Sequence, residues 1–157
     1  MTADAVVRAF PVDAATAWAL VADPRNHGRW VPLTRVGLST DAPGVGSVFT
    51  AVSGPFARRG APGLADVMRI DRYDPPTDTR TGVAEFTKTG HVLRGSASIV
   101  VVPAGPSSCR VLWTEHVWLA GPVPHRLTEI ALRPFLGGMV RYALMRASSE
   151  VRATDHH

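Results

Sequence analysis

PVPHRLTEIALRPFLGGMVRYALMRASSEVR, residues 122–152, is the stretch on which the fold turns. At 100° per residue, Leu132, Phe135, Leu136, Met139, Val140, Ala143, Leu144, Ala147 and Val151 fall on one broad stripe, with Arg133, Arg141, Arg146 and Arg152 mainly off it. The periodicity predicts one long amphipathic helix from Pro122 to Arg152. Each large side chain of the stripe is worth roughly 1.5–3 kcal/mol when buried, so something must cover this face. Pro134 and the pair Gly137–Gly138 interrupt the pattern. Inside a helix a proline costs about 3 kcal/mol and a glycine about 1 kcal/mol relative to alanine. They predict a kink near Arg133, with Pro122–Leu132 as a separate, tilted lead-in and a thin wall at the glycines.

Working outward, the cover is a series of strands. Asp4–Phe10 alternates and ends at Pro11. Asp13 stands where an N-cap belongs, ahead of helix formers over Ala14–Ala22, and Asp23-Pro24 stops that helix. A second helical turn is expected over Arg25–Trp30. From there the punctuation is antiparallel: strands over Thr34–Ser39, Ser47–Val52, Leu64–Tyr73, Thr81–Thr87, Val92–Val102 and Cys109–Leu119, separated by Gly/Pro/Asp turns. The Gly/Pro-rich stretch Ser53–Gly63 is an unusual connector, of the kind found as a lid or as a plain surface loop. Seven strands, two short helices and one long helix leave no room for alternating βαβ units. The expected architecture is α+β, a one-sided antiparallel sheet curved around the terminal helix, in a single domain over residues 1–157.

Composition narrows the function classes. With 45% hydrophobic and 19% charged residues the chain can bury its own core without staples, and its single cysteine, Cys109, reads as a small buried hydrophobe. The net charge of +4 comes from arginines dispersed along the chain, with Lys88 the sole lysine, which is a poor nucleic-acid footprint. Arg58 and Arg59 form the strongest local pair, expected in a solvated loop. No apolar run is long enough for a membrane span and no signal-peptide order opens the chain, so a cytoplasmic protein without stable membrane insertion is expected. A monomer and a homodimer both stay open.

The order β, α, α, six strands, long α resembles the helix-grip fold of the START-like (SRPBCC) superfamily, which includes polyketide cyclases and lipid-transfer domains. The residues that carry the resemblance are Val12–Trp18 opening the first helix, Asp23–Pro32, Tyr73-Asp74-Pro75-Pro76 at a strand end, and Val102-Pro103 leading to Cys109–Glu115. The resemblance implies a hydrophobic cavity between sheet and helix that takes a small apolar or polyaromatic molecule. It does not imply one reaction, because the fold hosts carriers, receptors and enzymes. Its walls are expected from Trp30, Phe49, Met68, Ile70, Trp113, Glu115, Leu136, Met139 and Val140.

Among polar residues Glu115 stands out. Val111, Trp113, Glu115 and Val117 share one strand face, taken as inner because Arg110 and Thr114 lie on the other. A carboxylate there must meet an arginine or a histidine, or take up a proton, which makes Glu115 the best candidate for orienting a ligand or for acid/base work. His27, His91 and His116 form no metal pattern, and neither a His-Glu-x-x-His motif nor a cysteine cluster occurs, so no metal and no cofactor are expected. His156 and His157 read either as native tail or as the remnant of a tag. Ser96 lies in a strand rather than in a nucleophile elbow. Three readings follow: a binder of a small hydrophobic molecule, a polyketide cyclase/aromatase-type enzyme using the same cavity, and a protein-interaction module working through the helix face or the 53–63 loop.

Overall fold

The computed structural model describes residues 5–154, so the expected strand start at Asp4 and the terminal histidines lie outside the described residues. In chain order the elements are β1 (Val6–Phe10), α1 (Ala14–Val21), α2 (Pro24–Trp30), β2 (Thr34–Leu38), β3 (Val48–Ser53), β4 (Leu64–Asp74), β5 (Gly82–Thr89), β6 (Leu93–Pro103), β7 (Cys109–Leu119) and α3 (His125–Thr154), with one 3-10 turn at Ala57–Arg59. All strand pairs are antiparallel, in the spatial order β1-β7-β6-β5-β4-β3-β2. The first two strands thus form opposite edges of the sheet. α1 and α2 carry the chain from one edge to the other.

The first helix starts at the cap that the sequence places, Asp13, and Asp23, expected only to stop that helix, also caps the second. The Asp13 carboxylate accepts from the Thr16 amide at 3.2 Å, and Asp23 accepts from the Arg25 amide at 3.0 Å with Pro24 at the first helical position. After α2 the chain turns through Leu33, a non-glycine residue at φ 57°, in the left-handed region that a bulky side chain avoids. Its carbonyl accepts from the Gly54 amide at 2.9 Å.

α3 lies across the inner face, packed on β7, β1 and α2. The lead-in expected as a separate segment is part of this one helix, which runs through Pro134. The solid core gathers at the C-terminal half of α3: Val140, Ala143, Leu144, Ala147 and Val151 share it with Phe10, Trp18, Val21, Ile99, Val101 and Val111. Cys109 is buried there, and burial pushes its thiol up to about 11, so it behaves as a packed hydrophobe rather than a nucleophile. The Ser53–Gly63 loop is tied down: the Arg58 guanidinium donates to the carbonyls of Gly28 (2.6 Å) and Val31 (3.2 Å). Those carbonyls sit at the C-terminal end of α2, where a cation is favoured.

Candidate functional site

At the other end of α3 the sheet and the helix part. They enclose a cavity of about 730 Å³ whose wall is mostly apolar: Val36, Phe49, Ala51, Met68, Leu93, Trp113 and Val117 from the strands; Leu132, Leu136, Gly138 and Met139 from α3; His27 from α2, and Val31, Pro32 and Leu33 from the turn after it. Leu33, Leu64 and Phe135 belong to the same wall yet are about half exposed or more, which places them at its mouth. A shallower, polar concavity of about 290 Å³ lies on the outer face, between Asp71, Glu85, Ser96, Ser98, Thr114 and His116.

The strand register sets a charged cluster into the apolar wall. β5 turns Gly82, Ala84, Phe86 and Lys88 inward, so the only lysine of the chain is buried. Lys88 pairs with Met68 on β4 and with Gly95 on β6, while Glu115 on β7 pairs with Ala97. β6 therefore lies between the lysine and the glutamate, and its inward residues there are the small Gly95 and Ala97. Gly95 is obligatory: its φ is +129°, and a Cβ would fall 1.9 Å from the His116 carbonyl oxygen. Across this low stretch Lys88 Nζ reaches Glu115 Oε2 at 3.5 Å, while it donates to Asp66 Oδ2 at 2.6 Å and to Met68 Sδ at 3.3 Å. Trp113 Nε1 donates to Glu115 Oε1 at 3.0 Å.

The electrostatics follow from counting charges. One ammonium stands between two carboxylates, so a fully ionised cluster carries an excess negative charge in an apolar wall. Burial pulls the Lys88 ammonium towards deprotonation, but Glu115 and Asp66 together outweigh it, and its pKa is raised; Lys88 stays a cation. Its tight partner is Asp66. Glu115 is held more loosely, its Oε2 accepts no hydrogen bond, and burial raises its pKa above the ordinary carboxylate value in spite of Lys88 and Trp113. The arrangement makes Glu115 the member of the cluster able to gain or lose a proton.

His27 completes the polar part of the wall. Its ring is buried against Trp113, with centroids 4.9 Å apart, and Nε2 lies 2.8 Å from the Val21 carbonyl oxygen. Burial lowers its pKa, with a smaller push from Lys88, so the ring is neutral.

Of the side chains expected on the wall, Phe49, Met68, Trp113, Glu115, Leu136 and Met139 line the cavity. Trp30, Ile70 and Val140 do not: they are buried in the packed core, deeper along the same faces. The partner of Glu115 is neither an arginine nor a histidine but Lys88. Sequence reading missed both Lys88 and Asp66 as site residues, although a signal existed. Asp66 shares strand parity with Met68, and Lys88 shares it with Phe86 once β5 is allowed to run past Thr87. Among the described residues no group of three or more His, Cys, Asp or Glu side chains could hold a metal ion, and no helix is long and apolar enough to cross a membrane.

A curved antiparallel sheet gripping a C-terminal helix over such a cavity is the helix-grip arrangement, and the family model described as polyketide cyclase / dehydrase and lipid transport matches residues 2–152. The chain belongs to that family. Solved structures share the family's fold over the whole length. A protein from Thermobifida fusca is 21% identical with a TM-score of 0.67, covering 100% of this chain and 97% of that one. A START superfamily protein from Mycobacterium smegmatis is 16% identical, TM-score 0.67, with 98% and 99% covered. The Zhui aromatase/cyclase from a Streptomyces species is 14% identical, TM-score 0.68, with 94% and 92% covered. No curated protein matches the chain.

Proposed function

We propose that this protein binds a small hydrophobic or polyaromatic molecule in the cavity between the sheet and the N-terminal half of α3. One observation carries the reading: a void of about 730 Å³, walled by apolar side chains, that holds a buried Asp66–Lys88–Glu115 cluster on one side. The volume lies in the range of drug-sized ligand sites, and a few fixed polar groups in an apolar wall are what orients such a ligand. A void of this size left unfilled forfeits dispersion contacts along its whole lining, which a ligand restores.

A second reading, a cyclase/aromatase-type enzyme, is favoured by Glu115. A buried carboxyl with a raised pKa beside a permanent cation can pass a proton to and from a bound molecule, and the likeness to an aromatase/cyclase fold agrees with it. A thermal-shift panel of apolar and polyaromatic compounds tests the binding reading. At a hundredfold excess over Kd a true ligand stabilises the fold by about 2.7 kcal/mol, a rise in Tm on the order of 5–10 °C for a chain of this size. No rise with any class of compound overturns it. Product formation that survives Glu115→Gln removes Glu115 from the enzymatic reading.

A further inference from the structure

Within the cavity wall most polar groups are already engaged or sealed. The Lys88 ammonium faces Asp66, Met68 and Glu115. Asp66 Oδ1 and Glu115 Oε2 lack hydrogen-bond partners, but both atoms are closed off from the void. Thr34 donates to the Pro32 carbonyl and shares a 2.8 Å hydrogen bond with Ser53, while the Tyr142 hydroxyl accepts from Arg146.

His27 differs. A carbonyl oxygen can only accept, so the 2.8 Å contact with Val21 requires Nε2 to carry the proton. In a neutral imidazole this leaves Nδ1 with its lone pair. Nδ1 meets no donor among the described residues, yet it is not one of the sealed, unpartnered atoms, and its ring lines the cavity. The backbone of α1 thus sets the tautomer and leaves an acceptor without a donor on a ring that lines the cavity. Beside it stand flat surfaces: the His27 and Trp113 rings lie 4.9 Å apart with 36° between their planes, and Phe49 lies on the same wall.

We infer that His27 is a specificity-determining residue of this cavity: its Nδ1 accepts the hydrogen of a hydroxyl carried on an aromatic ligand, which selects hydroxylated aromatics over ligands of similar shape that lack the donor. The inference rests on the cavity being the ligand site and adds the group that orients the ligand there. Selection of this kind arises because a buried acceptor left without a donor costs more than the bond itself gains.

The test is a fluorescence titration of the full chain with 1-naphthol and with 1-methoxynaphthalene, which keeps the ring system and the oxygen but has no hydrogen to donate. 1-Naphthol is expected to bind on the order of tenfold more tightly, and His27→Phe, which keeps a ring against Trp113, is expected to abolish the difference while still binding both. Nitrogen-15 NMR of the imidazole gives a readout that does not depend on the variant folding: the Nδ1 resonance of the parent should move with 1-naphthol and stay with 1-methoxynaphthalene. Equal affinities, a preference that survives His27→Phe, or an Nδ1 resonance indifferent to 1-naphthol each overturns the assignment to His27 while leaving the cavity as a binding site. Failure of both compounds to bind the parent removes the binding reading and the inference with it.

Discussion

The two halves of α3 carry the same apolar periodicity and do opposite things with it. From Val140 onward the stripe is sealed: Val140, Ala143, Leu144 and Ala147 have next to no accessible surface, and even Ser148 on the same side is fully buried. Before it, Leu132, Leu136 and Met139 are only half-buried and face a void, while Leu127, Ile130 and Phe135 are exposed. The periodicity itself does not make the difference. Small residues behind Val140 let the chain settle against β1 and β7, whereas Pro134, Gly137 and Gly138 supply little volume to fill the space over β3 and β4. An apolar stripe states that a face must be covered. Whether the cover is protein or ligand depends on the volume left opposite it.

This contrast can be broken by experiment. The largest effect is expected at the charged cluster: Lys88→Met leaves Asp66 and Glu115 uncompensated in the wall and should destabilise the fold by about 3–5 kcal/mol in chemical denaturation. A loss under about 1 kcal/mol would mean that the cluster is hydrated rather than buried. Next come paired truncations along α3. Leu144→Ala opens a new hole in a packed core and should cost about 2–5 kcal/mol, while Leu136→Ala widens a void that already exists and should cost about 1 kcal/mol or less. Equal costs would show that the two halves are packed alike.

The smallest effect is a change of slope. Burial raises the Glu115 pKa above its unfolded value of 4.5, so above that pH the folded state holds more protons than the unfolded one. The stability this group contributes is complete below pH 4.5 and is lost as the pH rises through its folded pKa. Glu115→Gln should therefore gain on the parent protein in Tm as the pH is raised from 4.5. Parallel curves for the two proteins would place Glu115 in water. His27 works in the opposite sense, since its lowered pKa costs stability as the pH falls below 6.5, so the comparison has to be made between these two proteins and not from one curve.

The fold was legible because its signals are local and repeated: an aspartate cap at Asp13 and a stop at Asp23-Pro24, turn residues between alternating strands, and one long 3.6-residue pattern. The inner faces were legible from parity, which places Phe49, Met68, Trp113 and Glu115 on the cavity side. Parity carries no depth, however. Ile70 shares a face with Met68 and Val140 is a neighbour of Met139, yet a few ångströms along the strand or around the helix exchange the void for the core. The charged cluster was lost for a different reason. Ending β5 at Thr87 puts Lys88 in a turn, where a lysine needs no explanation, and Asp66 was not singled out although it shares the inward parity of Met68 and Ile70. His27 was weighed only as a metal ligand; the hydrogen bond that fixes its tautomer comes from the fold and leaves no trace in the sequence.

Lys88 also sets what chemistry the folded protein offers to its surroundings. Apart from the amino terminus, this chain has a single primary amine, and the sheet hides it. An amine-directed reagent therefore has one side chain to find, and finds it only when the space between β4 and β7 opens. The rate of that one modification reports how often this end of the molecule breathes, and a guest that closes the void slows it. The residue that sequence reading passed over as a count of one is thereby the molecule's own label for the occupancy of its cavity.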